Sequence, residues 1–290
     1  FLFSRLILQY NSASGGRWVG GLLRYREVYM LYTTPYITCY FIFLALVLGA
    51  CMGSFLNCVA WRIVHNEPVS KGRSHCDVCG HVLGIRDLIP IAGYLAHRGR
   101  CRYCGVRLSA VHVIAEAVSA VLFAAVLLKF DISLQALEYM IFVCLLMACS
   151  FADLEGRIIP DRFIIAGLLV RTGFFVILND PVRVAVDDLI GGIGIAGLLL
   201  AVVLVFEKIK GIEAMGGGDI KLIFMTGIFL GWRANLLCLL LACIIGIVFG
   251  LVFKSDDEDR TFPWGPSIAL AAVVCMLFGN EVIELYLGLF

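Results

Sequence analysis

Two acidic side chains stand at the edges of long apolar segments, where they could do chemistry. Asp219 follows three consecutive glycines, Gly216, Gly217 and Gly218, and Asp153 stands at the end of another apolar segment. A carboxylate costs roughly 2.5–3.5 kcal/mol at the centre of a membrane helix, so its presence there usually marks a function. Two aspartates brought together share a proton and can activate a water molecule.

The residue types predict how such a pair would act on a peptide. The three glycines carry no side chains, so the backbone of an extended substrate can come close to Asp219. One aspartate, protonated, would polarise the scissile carbonyl, while the ionised one takes a proton from the attacking water. Two structural alternatives stay open at this stage. Asp153 can belong to an ordinary solvated loop, and Asp219 can cap the next helix or pair with Lys221 or Lys208.

Four of the twelve cysteines have the spacing of a metal site. They form two pairs with two residues inside each pair and a glycine after it: Cys76 and Cys79, then Cys101 and Cys104. This spacing brings both thiolates of a pair to one tetrahedral zinc ion. Four thiolates leave no open coordination position, so the predicted zinc is structural and holds the polar segment around it together.

Composition predicts that the elements positioning these groups are membrane helices. The 290 residues are 61% hydrophobic and 16% charged, with a mean hydropathy of +0.95, against about 25% charged in soluble proteins. Apolar runs near the roughly 20 residues needed to span occur at residues 36–60, 111–130, 134–152, 163–178, 189–206, 220–232, 236–253 and 268–290. We therefore predict an all-α polytopic membrane protein with about eight transmembrane helices. A net charge of +1 argues against nucleic-acid binding.

The runs divide the chain into four predicted parts. Residues 1–29 form an N-terminal extension excluded from the fold, residues 30–61 hold the first transmembrane helix, residues 62–109 form a cytoplasmic four-cysteine domain, and residues 110–290 form a seven-helix domain. Four glycines at 191, 192, 194 and 197 fall in one run, where they predict close helix packing rather than a ligand site.

The charges of one loop set the predicted orientation. Residues 62–109 carry eight basic residues against three acidic ones, which predicts a cytoplasmic location. Eight alternating spans then bring Asp153 and Asp219 out on this same side. Disulfides are disfavoured in the cytoplasm, so the four cysteines are expected to bind metal rather than pair with one another.

Several motifs, in order, resemble those of one family. They are Gly53-Ser54-Phe55-Leu56-Asn57, the two cysteine pairs, Asp87-Leu88-Ile89-Pro90, Asp153 with Ile159-Pro160-Asp161, Gly216-x-Gly218-Asp219-Ile220-Lys221 and Phe262-Pro263-Trp264-Gly265-Pro266. From about Gly49 to Ala272 the chain resembles the bifunctional type IV prepilin peptidases, or leader peptidase/N-methyltransferases. The resemblance implies a membrane aspartic protease with the G-x-G-D signature and the catalytic pair Asp153 and Asp219. The implied substrate is the basic leader of a type IV prepilin or pseudopilin precursor, cut after glycine at the cytoplasmic face of the bacterial inner membrane.

The resemblance also implies a second activity. Members of this family methylate the new α-amino group, commonly of phenylalanine, with S-adenosylmethionine as methyl donor, and the four-cysteine loop is the implied place. No glycine-rich signature of a Rossmann methyltransferase occurs, so the donor-binding residues stay unknown. Family members usually carry Arg-Tyr-Pro ahead of a glutamate; here Glu116 is present but Val111, His112 and Val113 precede it. This departure leaves a peptidase without methyltransferase activity as an alternative.

Two non-enzymatic interpretations also stay open. A transporter that binds a cation through its aspartates predicts polar residues along the middle of several spans, but charged residues there are sparse: Glu116, Glu138, Arg171 and Glu284. Arg171 is expected to pack within the bundle or to pair with an acid. A membrane scaffold that recruits partners through the zinc loop would keep its function when either aspartate is replaced.

Overall fold

The structure, a computed structural model, describes residues 35–69, 74–76, 78–84, 86–178, 180–211, 215–252 and 263–289. The helices in these ranges are α1 (Pro35–Val64), α2 (Ala92–Ala96), α3 (Val111–Phe130), α4 (Leu134–Gly156), α5 (Asp161–Leu178), α6 (Val182–Leu189), α7 (Ile195–Lys210), α8 (Gly217–Val252) and α9 (Gly265–Leu287). A π-helical turn, Ile190–Gly194, joins α6 to α7. The predicted extension, residues 1–29, lies outside the described residues.

The helices confirm an all-α polytopic membrane protein. Within the described ranges, six helical segments are long and apolar enough to cross a bilayer: α1, α3, α4, α6 with α7, α8 and α9. The predicted run at residues 163–178 is also helical, as α5, although Asp161, Arg162 and Arg171 make it more polar. The predicted run at 220–232 and the described part of the run at 236–253 both fall inside α8. Each of the eight predicted apolar segments is therefore helical over most of its described residues.

A break at Gly231 divides α8 into two arms. Gly231 has φ 74° and ψ 174°, a conformation that a helix does not contain. Beyond the break, the Asn235 side chain donates to the carbonyl of Ile223 at 3.2 Å and accepts from the Thr226 hydroxyl at 2.8 Å. In a continuous helix residues 223 and 235 would lie about 18 Å apart along the axis. The chain therefore reverses at Gly231, and α8 is a hairpin of two helical arms.

Glycines allow the span formed by α6 and α7 to pack directly on the first arm of α8. A Cβ added at Gly191 would lie 2.6 Å from the carbonyl oxygen of Gly227, and one added at Gly227 would lie 2.2 Å from that of Gly191. The Asn235 side chain also donates to the Gly191 carbonyl at 2.9 Å. The packing role predicted for the glycines at 191, 192, 194 and 197 is confirmed at Gly191 and Gly192. A Cβ added at Gly197, by contrast, would meet nothing within 4 Å.

The core lies around α4, whose inner face is fully buried over several turns. The rings of Phe142 in α4 and Phe229 in α8 stack with centroids 4.2 Å apart. On the other side, α1 packs closely on α3 because Gly49 and Gly53 face Ser119. α9 packs on both α4 and α8.

Ion pairs at one end of the bundle involve the buried Arg171. Its guanidinium donates to Asp188 at 2.7 and 3.0 Å and to Glu138 at 3.0 Å, and it lies 3.3 Å from a carboxylate oxygen of Asp180. The expectation that Arg171 pairs with an acid inside the bundle is confirmed. Lys129 and Glu281 also pair at this end. We call it the far end, because Asp153 and Asp219 lie at the other one.

Candidate active site

Asp153 stands in the last turn of α4, where its side chain is buried. Its Oδ2 accepts a hydrogen bond of 2.8 Å from the N–H of Gly265, the first residue of α9. The first N–H groups of a helix have no partner within the helix, so this carboxylate satisfies one of them. Trp264 holds the start of α9 in place, because its indole N–H donates to the Ala242 carbonyl at 3.0 Å.

Residue 265 is a glycine because nothing larger fits. A Cβ at this position would lie 2.7 Å from Oδ2 of Asp153. The hydrogen bond and the missing side chain together let the N-terminus of α9 approach the carboxylate. Sequence reasoning did not assign a role to Gly265. Its only signal was its place in the Pro263-Trp264-Gly265-Pro266 motif.

Asp219 is the third residue of α8, and its side chain is half-buried. The start of α8 packs on the residues that follow α4: a Cβ added at Gly218 would lie 3.1 Å from Cβ of Ile159. Lys221 pairs with Asp161 at the start of α5, with 2.6 Å between Nζ and Oδ1. The alternative in which Lys221 pairs with Asp219 is therefore not what the structure contains.

The structure brings the two predicted catalytic aspartates to the same end of the bundle. Asp153 lies close enough to Asp219 for their carboxylates to interact electrostatically. Asp153 is held between the end of α4 and the start of α9, and Asp219 stands at the start of α8, where Gly218 packs on Ile159. Their position at one end of the bundle is compatible with the predicted pair, in which one shared proton would let the two groups polarise a carbonyl and deprotonate a water molecule.

The three glycines before Asp219 differ in their surroundings. Gly218 is crowded by Ile159, a Cβ at Gly216 would come within 3.6 Å of Oδ2 of Asp219, and a Cβ at Gly217 would meet nothing within 4 Å. None of the three has a positive φ. Their role as an approach for substrate stays a prediction, and Gly217 is the one with open space beside it.

The four cysteines form a cluster that could hold a metal ion. Their sulfur atoms all lie within 4.8 Å of one another, and Cys76 Sγ is 3.9 Å from Cys104 Sγ. Sulfurs about 2.3 Å from a tetrahedral zinc ion would be about 3.8 Å apart. Each pair lies in a tight turn closed by a glycine, with the N–H of Gly80 bonded to Cys76 and that of Gly105 bonded to Cys101. Both glycines have positive φ, and the donor set fits zinc.

One hydrogen bond docks the cysteine-bearing segment, the described part of residues 65–110, on α3, and a second one ties α1 to α3. The N–H of Ile91 donates to Oε2 of Glu116 in α3 at 2.7 Å. His112 at the start of α3 bonds to the Asn57 side chain in α1. His112 lies in the stretch that departs from the family pattern, and its contact with Asn57 ties α1 to α3.

Asp87 organises the interior of the segment. Its Oδ2 accepts from the N–H of Gly84 at 2.9 Å and from the Tyr103 hydroxyl at 3.3 Å. The Gly84 N–H lowers the pKa of Asp87, an effect that burial opposes and the Tyr103 hydroxyl reinforces. The other oxygen, Oδ1, lies 3.3 Å from Nε2 of His97.

The fold and the site define a multi-pass membrane protein with paired aspartates and a four-cysteine segment at one end of its bundle. Residues 47–130 match the model of the bacterial peptidase A24 N-terminal domain, and residues 140–251 match that of the type IV leader peptidase family. The chain belongs to the type IV leader peptidase family.

Curated relatives agree with the family models. A prepilin leader peptidase/N-methyltransferase of Pseudomonas putida is 31% identical over 269 residues, which are 84% of this chain and 92% of the relative. One from Bacillus subtilis is 30% identical over 244 residues, 83% of this chain and 96% of the relative. One from Myxococcus xanthus is 36% identical over 211 residues, 71% of this chain and 61% of the relative. No solved structure matches the chain significantly.

Proposed function

We propose that this protein is a membrane aspartic endopeptidase that removes the leader peptide from type IV prepilin or pseudopilin precursors. The observation that carries the proposal is the meeting of Asp153 and Asp219 at one end of the bundle, from helices that are distant in sequence. The family and the names of the relatives supply the substrate class. Cleavage falls after a glycine, ahead of the hydrophobic pilin helix.

In the proposed mechanism the two carboxyls act as one unit. The protonated aspartate donates a hydrogen bond to the scissile carbonyl oxygen, while the ionised one accepts a proton from water as that water attacks the carbonyl carbon. The Gly265 N–H keeps the Asp153 carboxylate in place throughout. Open space beside Gly217 leaves room for the extended backbone of the substrate.

The proposal includes a location. The protein resides in the bacterial inner membrane, with the cysteine-bearing segment and both aspartates on the cytoplasmic side. The excess of basic residues in this segment supports that orientation. The apolar helix of the precursor would lie in the bilayer beside the peptidase helices, with its leader in the cytoplasm.

A second activity is proposed for the same end of the molecule. Residues 62–109 would serve N-methylation of the new N-terminal residue, usually phenylalanine, and residues 110–290 would hold the peptidase. S-adenosylmethionine would supply the methyl group. The described part of residues 62–109 contains two isolated β-bridges and no strand, so a Rossmann-type donor site does not fit. Zinc at Cys76, Cys79, Cys101 and Cys104 would hold this region in shape.

The test is cleavage of a pilin-like precursor by the purified protein in detergent. Asp153→Asn and Asp219→Asn should each reduce the cleavage rate about 10²–10⁴-fold, because each removes one partner of the acid–base pair. Glu155→Gln is the matched control, because it replaces an exposed carboxylate two residues from Asp153 that lies 3.9 Å from the exposed His65. This variant should cut at nearly the native rate.

Mass spectrometry of the mature amino terminus, with S-adenosylmethionine present, tests the methyl transfer separately. Addition of the mass of one methyl group to the cleaved product supports both activities. Cleavage without that addition supports the peptidase alone. Native rates in both aspartate variants would contradict the aspartic peptidase and favour a transporter or a scaffold.

A further inference from the structure

The cysteine-bearing segment contains a cavity that the peptidase chemistry does not use. Its volume is about 560 Å³, within the range of small-molecule sites, and most of its lining is apolar. Three nitrogen-bearing side chains, Arg86, His97 and Arg102, complete the lining. A mostly apolar wall with a few cationic groups fits a ligand that has both an anionic head and an apolar part.

The contact with Glu116 places this part of the segment at the membrane surface. At 20 residues, α3 is about 30 Å long, which matches the hydrocarbon thickness of a bilayer, so Val111 lies near its edge. Glu116 is about 7.5 Å further along the helix, and helical side chains lean back toward the N-terminus. Since the Ile91 N–H reaches the Glu116 carboxylate, Ile91 lies at the level of the interface.

Apolar side chains near Ile91 in sequence are exposed. Leu88 is 44% exposed, Ile89 49% and Leu95 64%. In a segment that stood in water such a cluster would be unfavourable, because apolar area in water costs free energy. At the bilayer interface the same side chains can enter the acyl boundary. Ile89 also lines the cavity, so the apolar cluster and the cavity are continuous.

The charges around the cavity leave a net positive site. Arg86 and Arg102 each contribute one positive charge, and Asp87, beside His97 and Arg102, contributes one negative charge. These three side chains together carry a net charge of +1, which complements the single negative charge of a phosphodiester. Arginine at an interface is well suited to phosphate because its guanidinium can donate two parallel hydrogen bonds.

We propose that Arg86 and Arg102 bind the phosphate of an anionic phospholipid, whose glycerol backbone and acyl chains pass over Ile89 into the bilayer. The lipid would fix the four-cysteine segment against the membrane surface beside the aspartates. The site does not depend on the peptidase mechanism, and the proposal stands or falls separately from it.

Native mass spectrometry of the full-length, metal-loaded protein tests the proposal, with phosphatidylglycerol or phosphatidylcholine added to the detergent solution. Arg86→Gln with Arg102→Gln should reduce phosphatidylglycerol affinity about tenfold or more and leave phosphatidylcholine binding unchanged. The matched control is Arg100→Gln with Arg107→Gln, which removes the same charge from exposed arginines outside the cavity and should change the affinity less than about twofold.

A third variant addresses misfolding. Ala96→Trp fills the cavity without changing charge and should also reduce phosphatidylglycerol binding, while zinc content reports whether the segment is intact. Equal losses in the two arginine pairs would mean general attraction of anionic lipid to a basic surface, and would overturn the proposal. Unchanged phosphatidylglycerol binding in the Arg86→Gln, Arg102→Gln variant would also overturn the proposal. If that variant loses both lipid binding and zinc, Ala96→Trp decides, and native lipid binding in Ala96→Trp would then overturn the proposal.

Discussion

At the scale of single residues, the hydrogen bond between Gly265 and Asp153 explains how a carboxylate at a helix end is held. The two residues are 112 positions apart, and the bond uses an N–H that the start of α9 leaves unpaired within the helix. The bond also requires that no side chain stand between them. We therefore predict that Gly265 positions Asp153 for catalysis.

Gly265→Ala should lower the cleavage rate about 100-fold, since the added Cβ would displace Asp153 and a shift of about 1 Å in a catalytic group has an effect of this size. The measurement is the rate of precursor cleavage in detergent. Gly173→Ala is the control, because a Cβ at Gly173 meets nothing within 4 Å. Equal rates for the two variants would contradict the positioning role.

The predicted site residues and the residue that sequence reasoning missed differ in the kind of signal they give. The four cysteines are marked by local spacing, and Asp153 and Asp219 by charge at the edge of an apolar run. These are features of neighbouring residues. Gly265 acts through its N–H on a side chain that only the folded bundle brings near. A glycine in a turn can be required for many other reasons, so its presence in the sequence does not indicate this role.

At the scale of elements, the hairpin of α8 determines how Asp219 reaches the end of the bundle that also holds Asp153. We call this the catalytic end. The first arm, ending at Gly231, is short, and the reversal is held by the buried Asn235 through its bonds to Thr226, Ile223 and Gly191. The sequence predicted two runs here, separated at residues 233–235, because Arg233 and Asn235 interrupt the apolar pattern. The exact break depends on the backbone of Gly231.

Asn235→Ala should reduce the free energy of unfolding by about 1–3 kcal/mol, because it removes buried hydrogen bonds to Thr226 and to the carbonyls of Gly191 and Ile223. Unfolding in detergent, followed by circular dichroism against denaturant, measures the change. Asn280→Ala, at an exposed position of α9, is the matched control and should have little effect. A native stability for Asn235→Ala would mean that the hairpin does not rely on this side chain.

The cysteine-bearing segment is the other element that depends on a specific interaction. Cys104→Ser should remove the metal, measured by elemental analysis of the purified protein, and should make residues 74–109 exchange amide hydrogens faster. A small polar segment has little core of its own, so a bound ion would supply much of its stability. Cys243→Ser, at an exposed cysteine outside the cluster, should retain the metal. Full metal content in Cys104→Ser would contradict a four-thiolate site.

At the scale of the whole molecule, the helix ends sort into two faces. The end of α1 and the end of α4 meet where His65 approaches Glu155, and the starts of α5, α8 and α9 lie at this same catalytic end. The Arg171 cluster lies at the far end. The apolar runs predicted this arrangement. If each run crosses the membrane once, the number of runs before a residue decides on which side that residue lies.

The same reasoning could not predict how far each helix extends. The predicted fifth span began at residue 189, whereas its helix begins at Val182. Because Asp187 and Asp188 are charged, the sequence pattern predicted a polar loop where α6 forms. The structure shows that Arg171 from α5 binds Asp188, and such compensation across helices is invisible to a local hydropathy pattern.

The two faces also give a prediction about orientation. Trypsin added to closed inverted membrane vesicles should cut at Arg98, Arg100 or Arg107 and leave Arg183, which lies at the far end, intact. In spheroplasts the pattern should be reversed, with the cysteine-bearing segment protected. Peptide mass spectrometry identifies the cuts. Cleavage of the segment in spheroplasts would contradict its proposed cytoplasmic location.

The central claim, that Asp153 and Asp219 act as one catalytic unit, is tested most directly by a double-mutant cycle. Precursor cleavage would be measured for the native protein, Asp153→Asn, Asp219→Asn and the double variant, with Glu155→Gln as control. Residues that act together show strongly non-additive effects. We predict that the double variant loses no more activity than either single variant. Losses that multiply, or a native rate in either single variant, would contradict the claim.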